Sequence, residues 1–288
     1  MSKIVQMIKT GFSSNHIKWI ALFFMTIDHL GAFGFEIPIF AAHYDTLRLL
    51  GRISAPLFLF MITESARYTS NRVKLIRRLY LAGVCVGLFT AVTNILLGEV
   101  VGVFSPGNII FTFFYTVLYI HLIEGMITAL NEKNTKRIIL LVIAVAATCI
   151  PYFLYQVLLN SYFVQPAYEY IHLHHDLVNS FIPNPLHIEY SLMFAIMGVV
   201  MYFAKVKKRQ CIVFFFFCML SFGGSIQRVF MDLWPFNGFF MGKQYLMVLA
   251  LPIMLFYNGK RGKEQKQFFY AYYPLHRYAI SIVQALLQ

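Results

Sequence analysis

The run HIKWIALFFMTIDHLGAFGFE, His16 to Glu36, decides the fold of this chain. It is mostly apolar and has the length of about 20 residues that a helix needs to cross a bilayer. Asp28 and His29 nevertheless stand side by side inside it. An ionised residue at the centre of a membrane helix costs about 2.5–3.5 kcal/mol on insertion scales, and such residues are functional by default. The run therefore predicts a membrane helix that carries a polar site.

The composition extends this interpretation to the whole chain of 288 residues. It is 59% hydrophobic and only 12% charged, with a mean hydropathy of +0.66. A soluble domain carries roughly 25% charged residues, so this chain lacks the charge to cover a water-facing surface. The net charge of +12 does not indicate nucleic-acid binding, because the basic residues form short clusters between apolar runs. We predict a polytopic, all-α membrane protein that contacts lipid and binds no nucleic acid.

Nine apolar runs of near-spanning length can be drawn along the chain. Each is predicted to be a helix, because an isolated strand in lipid would leave its backbone groups unsatisfied. We treat residues 1–288 as one domain, in which residues 1–15 are a candidate interfacial helix. The runs cover residues 16–36, 45–66, 77–98, 107–130, 138–160, 187–204, 211–230, 243–258 and 268–287.

Most of the 24 Lys and Arg residues fall into five clusters between these runs. With nine spans, all five clusters lie on one side of the membrane, which the positive-inside rule identifies as the cytoplasm. The N-terminus is then inside and the C-terminus outside, as expected for a multi-pass protein of a bacterial inner membrane. The clusters are Lys3, Lys9 and Lys18; Arg67, Arg72, Lys74, Arg77 and Arg78; Lys133, Lys136 and Arg137; Lys205, Lys207, Lys208 and Arg209; and Lys260, Arg261, Lys263 and Lys266.

Asp28 in the first run and Arg52 in the second are predicted to form an ion pair. At a rise of about 1.5 Å per residue, both lie roughly 12 Å below the outer surface. Pairing would offset much of the cost of burying either charge. The alternative is that the pair only stabilises the fold. His29 favours a functional role, since histidine exchanges protons near neutral pH.

Further polar residues lie at membrane depth. His276 follows Pro274, which loosens the last helix, and its depth places it near a path through Asp28 and His29. Asn108 and Thr112 open the fourth run, where they either satisfy a helix end or contribute to a polar cavity.

No metal site is expected. The segment HLHHD, 172–176, with His187 and Glu189, offers imidazole and carboxylate groups that suit zinc, but its spacing matches no standard site. Cys85, Cys149, Cys211 and Cys218 all fall in apolar runs, with neither metal spacing nor a disulfide pattern.

Several of these segments together resemble the TraX family of membrane proteins, the F-pilin acetylase family. The resemblance rests on IKWIALFFMTIDHLGA (17–32), LRLLGRISAPLFLFMITESARYTSNR (47–72), NIIFT (108–112) and FFYAYYPLHRY (268–278). It extends over most of the chain. Ser54-Ala55 before Pro56 departs from the family pattern, in which an aromatic residue usually precedes the proline.

The resemblance implies an acyltransferase that uses acetyl-CoA as its donor. The acceptor is then an amine or hydroxyl at the extracytoplasmic side, on a polypeptide N-terminus or a cell-surface glycan. His29, oriented or kept basic by Asp28, is the candidate general base, or the site of a covalent acetyl intermediate. Arg52, Asn108 or Thr112 would stabilise the oxyanion, and His276 would either protonate the leaving thiolate or only hold the pocket.

The basic residues Arg67, Arg72, Lys74, Arg77 and Arg78 are candidates for binding the CoA phosphates. The alternative for this loop is that it is basic only for topology. For the whole protein, the rival hypothesis is a proton-coupled transporter or flippase, which would also place paired charges at midplane.

Overall fold

The computed structural model describes residues 10–34, 37–101, 108–154, 177–186, 188–227, 243–262 and 265–287. Within these ranges the chain is helical and contains no β-strand, apart from one isolated bridge between Phe12 and Tyr257. The predicted all-α class is thus confirmed. The α-helices are α1 (Ser14–Phe33), α2 (Pro38–Ala42), α3 (Tyr44–Gly51), α4 (Ser54–Tyr68), α5 (Arg72–Val101), α6 (Ile109–Asn131), α7 (Thr135–Ala147), α8 (Ser191–Phe203), α9 (Lys207–Gln227), α10 (Leu251–Leu255) and α11 (Lys266–Leu286), with a 3-10 helix (Gln244–Ala250) before α10.

Four helical segments in the described ranges are long and apolar enough to cross a membrane. They are Tyr44–Tyr68, Arg72–Leu96, Ile109–Asn131 and Thr135–Leu154. Each of the nine predicted runs contains a helix, but Ser191–Phe203 and Gln244–Leu255 are shorter than a full span. The structure therefore supports a helical membrane protein, and the count of nine spans stays a prediction.

Local sequence explains where the helices of the site begin and end. Ser13 caps α1 by accepting a hydrogen bond from the His16 amide at 3.3 Å, and Gly34 ends it by bonding back to Leu30 O at 3.1 Å. The second predicted span is interrupted after Gly51, where α3 gives way to α4. Pro56 has no amide hydrogen for the Arg52 carbonyl, which removes one helical hydrogen bond at this break.

Contacts bring four of the basic clusters to one end of the bundle. Arg67 donates to Lys205 O at 2.5 Å, and Lys207 donates to Tyr257 O at 2.8 Å. The segment before α1 pairs with the one after α10, since Ser14 N donates to Lys260 O at 2.8 Å. This gathering agrees with the charge pattern. Which face of the membrane this end occupies is still a prediction.

A polar clamp beside this end joins α5, α6 and α8. Arg72 forms an ion pair with Glu124 and donates to the Tyr202 hydroxyl at 2.8 Å. That hydroxyl in turn donates to the second oxygen of Glu124 at 2.5 Å. Because the three side chains satisfy one another, the clamp fixes the α4–α5 connection against α6 and α8.

Candidate active site

The site begins at Asp28, which is only 7% exposed on α1. Its Oδ2 accepts a hydrogen bond from Arg48 Nη1 at 2.6 Å, forming an ion pair between α1 and α3. The prediction that Arg52 pairs with Asp28 is wrong. Arg52 contributes a more distant positive charge and donates to Gln244 at 3.4 Å. Arg48 lies one turn before Arg52 on the same helix face, and a long Arg side chain can reach across the roughly 6 Å of depth between them, so matching backbone depths selected the wrong residue.

Glycines let α3 approach α1 closely enough for this pair. A Cβ placed on Gly51 would overlap the side chain of Asp28. One placed on Gly31 would lie 3.0 Å from Leu47 Cβ and 3.3 Å from Arg48 Cδ. The small residues therefore set the distance between the two helices and hold Asp28 against α3.

His29 points instead to α11, where it meets His276. His29 Nδ1 is hydrogen-bonded to His276 Nε2, and the near-parallel rings lie 4.6 Å apart between centroids. The orienting group that touches His29 is thus His276, and not Asp28 as predicted. The sequence placed the two histidines along one path. The structure puts them in direct contact.

Tyr272 contacts His276, and Thr26 in turn contacts Tyr272. His276 Nδ1 is 2.7 Å from the carbonyl oxygen of Tyr272, and the Tyr272 ring packs parallel to the His276 ring at 4.8 Å. The Tyr272 hydroxyl is in turn 2.7 Å from that of Thr26 on α1. Pro274 lies within this stretch of α11 and does not end the helix.

Glu189 is a site residue that sequence reasoning considered only as a metal ligand. It precedes α8 and lines the same cavity as Asp28 and His29. Tyr273 donates to its carboxylate at 3.4 Å, and Thr112 donates to its backbone carbonyl at 2.8 Å. Tyr190 and Ser191 follow it with φ angles of 63° and 69°, a left-handed conformation that costs roughly 1–3 kcal/mol per residue. This backbone turn presents Glu189 to the cavity.

The cavity of about 680 Å³ runs from the basic end of the bundle to His29. Lys18 and His29 line it from the same helix, and their spacing corresponds to a length of about 16 Å. Basic side chains surround the exposed mouth, apolar side chains form the middle, and acidic and histidine side chains close the inner end. These three groups are Lys18, Lys74, Arg78 and Arg261; Leu22, Met25, Phe58, Met61 and Phe113; and Asp28, His29 and Glu189.

Two of the five predicted phosphate-binding residues, Lys74 and Arg78, line this mouth. The other three do not. Arg67 and Arg72 are engaged with the backbone and with Tyr202, and Arg77 is exposed outside the lining. Arg67 lies on α4, whereas Arg72 and Arg77 lie on α5 and point in other directions than Lys74 and Arg78, which are one turn apart.

Asn108 and Thr112 hold the structure together and do not line the cavity. Asn108 caps α6, accepting from the Ile110 amide at 3.1 Å, and donates to Gly83 O at 2.9 Å. Thr112 is fully buried with its hydroxyl on Glu189 O. The structure thus places both side chains away from the position predicted for an oxyanion.

A metal site is not visible in the parts of the chain that the structure describes, where no three His, Cys, Asp or Glu residues cluster suitably. The segment 172–176 and His187 lie outside those parts.

Comparison with protein families decides the affiliation. The model of the family described as TraX protein matches residues 13–176 and 177–284. The chain belongs to the TraX family. No curated protein matches it, and no solved structure does.

The segments that carried the resemblance to TraX proteins converge on the cavity. Asp28 and His29 come from the first, Gly51 from the second and Tyr273 from the last. Ser54 and Ala55, where this TraX protein departs from the family pattern, are buried and line the cavity as well. The position of the expected departure is therefore part of the cavity wall.

Proposed function

We propose that this TraX family protein is a membrane acetyltransferase that moves an acetyl group from cytoplasmic acetyl-CoA to an amine or hydroxyl acceptor at the extracytoplasmic side. One observation carries the proposal. A single cavity joins a basic, exposed mouth to His29, a half-buried histidine.

The charge distribution along the cavity suits a CoA thioester. CoA carries its negative charge on phosphates at one end and its thioester at the other end of a flexible arm. Lys74 and Arg78 at the mouth offer charge-assisted hydrogen bonds to phosphate, together with Lys18 and Arg261. The apolar middle admits the arm, and the thioester then lies beside His29.

The first route is direct transfer. His29 removes the proton from the acceptor N–H or O–H while the acceptor lone pair attacks the thioester carbonyl carbon. The C–S bond then breaks, and the thiolate takes the proton back from His29. The products are free CoA thiol and acetylated acceptor. In the covalent variant, the His29 nitrogen attacks the thioester carbonyl carbon first and the C–S bond breaks to release the thiolate. The acceptor then attacks the acetyl carbon on the ring, the bond between that carbon and the ring nitrogen breaks, and the acceptor proton passes to the thiolate to give the CoA thiol.

The first test is equilibrium binding of acetyl-CoA to the purified protein in detergent. We expect Arg78→Ala to raise the Kd by about 2- to 5-fold, as for the loss of one exposed charge contact. Arg77→Ala is the matched control, because Arg77 neighbours Arg78 on α5 but does not line the cavity. Equal effects of the two substitutions would contradict this donor site.

His29→Ala separates binding from transfer in the same preparation. The variant should keep the wild-type Kd for acetyl-CoA and lose acetyl transfer to supplied amine or hydroxyl acceptors. Transfer at the wild-type rate would remove His29 from the mechanism. Solute uptake into proteoliposomes without CoA consumption would favour the transporter hypothesis instead.

A further inference from the structure

We infer that His276 is a positioning residue that fixes the tautomer of His29, so that Nε2 of His29 is the reacting nitrogen. The inference rests on the proposed function for the transfer itself. Its structural part concerns only the hydrogen-bonded chain from His29 through His276 to the Tyr272 carbonyl.

The hydrogen bonds in this series run in one direction, because the last group, the Tyr272 carbonyl, can only accept a hydrogen bond. The Tyr272 carbonyl oxygen has no hydrogen to donate, so His276 Nδ1, at 2.7 Å, must be the protonated nitrogen. In the neutral ring, His276 Nε2 is then bare and accepts a hydrogen bond. The group that it contacts is His29 Nδ1, which must therefore carry the hydrogen. In neutral His29 this leaves Nε2 with a free lone pair.

The free lone pair on Nε2 belongs to His29, the histidine that lines the cavity in which we propose the transfer. His29 lines the cavity, whereas His276 is not among the lining residues. A general base and a nucleophile both need an unprotonated nitrogen, so the same tautomer serves direct and covalent transfer. In the other tautomer of His29, Nε2 carries the hydrogen and has no lone pair to accept a proton or attack the thioester.

The surroundings hold His276 in this role. Its ring lies between His29 on α1 and Tyr272 one turn earlier on α11, and the Tyr272 hydroxyl is fixed by Thr26. Besides its chain neighbour Asp28, the charged side chains that interact electrostatically with His29 are Arg48 on α3 and Arg277 on α11. A fixed second partner of this kind is the usual means by which a protein selects a histidine tautomer.

The test uses the full-length protein labelled with ¹⁵N-histidine in detergent, in which the His29 signal is assigned by its loss in His29→Gln. In the wild type, Nδ1 should give the signal of a protonated ring nitrogen and Nε2 that of a bare one. His276→Leu should abolish this preference, because Leu offers no acceptor. His276→Gln should retain it, because the Gln carbonyl oxygen can accept from His29 Nδ1.

Transfer kinetics provide the functional readout. A wrong tautomer of a catalytic histidine lowers kcat by up to about 10⁴-fold, and we expect at least about a 10-fold loss in His276→Leu. The KM for acetyl-CoA should stay close to the wild-type value, and His276→Gln should restore most of kcat.

The outcomes separate the inference from the proposed function. A bare Nδ1 in wild-type His29, or an unchanged tautomer in His276→Leu, would overturn the inference. Equal loss of kcat in His276→Leu and His276→Gln, with the tautomer of His29 unchanged in both, would also overturn it, since His276 would then be merely structural. The predicted tautomer in a protein that transfers no acetyl group would uphold the hydrogen-bonded chain and overturn the proposed function.

Discussion

At the scale of residues, two neighbours on α1 serve two different interfaces. Asp28 bonds to Arg48 on α3, and His29 bonds to His276 on α11. Successive residues of an α-helix point about 100° apart, so one dipeptide can contact two helices. The apolar run thus carries a charge and an imidazole because each has a polar partner on a neighbouring helix.

The Asp28–Arg48 pair is expected to matter more for stability than Arg52. Breaking a buried pair costs about 3–5 kcal/mol, and the partial exposure of Arg48 places this one at or below the lower end of that range. Arg48→Gln should therefore lower the Tm in detergent by several degrees. Arg52→Gln is the control, because its bond to Gln244 at 3.4 Å is long. A larger loss of Tm in Arg52→Gln would contradict the assigned pairing.

Sequence reasoning at this scale found residue types and depths but not every partner. Asp28, His29 and His276 stood out because polar groups are costly in an apolar run. Arg48 was missed because it lies one turn from Arg52, and residues at this spacing share a helix face. Glu189 was not predicted to line the cavity because its position depends on a left-handed turn at Tyr190 and Ser191, which the sequence pattern does not predict.

At the scale of elements, the α1–α3 interface depends on the absence of a side chain at Gly51. Gly51→Ala would push a methyl group into Asp28 and separate the two helices. We expect a lower Tm and strongly reduced acetyl transfer. Gly223→Ala on α9 is the matched control, because nothing lies within 4 Å of the added Cβ. Its Tm should be unchanged or slightly higher, since Ala favours helix by about 0.8–1.0 kcal/mol over Gly. Equal Tm values for both variants would contradict close packing at Gly51.

The elements themselves were largely predictable, because apolar length is a strong signal for membrane helices. Their interruptions were less so. The second predicted span divides into α3 and α4, and residues 244–255 begin as a 3-10 helix. Prolines signal both positions, since Pro56 and Pro252 lie near the breaks, but hydropathy alone does not show how the backbone responds.

At the scale of the whole molecule, the basic clusters and the cavity mouth share one end. Contacts of Arg67 with Lys205, and of Lys207 with Tyr257, bring the loops together there. The cavity mouth beside them carries Lys74 and Arg78. The positive-inside rule therefore predicts that this mouth, which we propose as the entrance for acetyl-CoA, faces the cytoplasm.

This orientation predicts the labelling of single cysteines by a membrane-impermeant maleimide in a cysteine-free background. Lys136→Cys, in an exposed basic cluster, should react only after the cells are permeabilised. Phe181→Cys, at a position that is 50% exposed and predicted to lie outside, should react in intact cells. The reverse pattern would open the basic mouth to the exterior, where no CoA thioester is supplied, and would contradict acetyl-CoA as donor. Labelling of both positions in intact cells would show that the number of spans between them is even rather than the single span predicted.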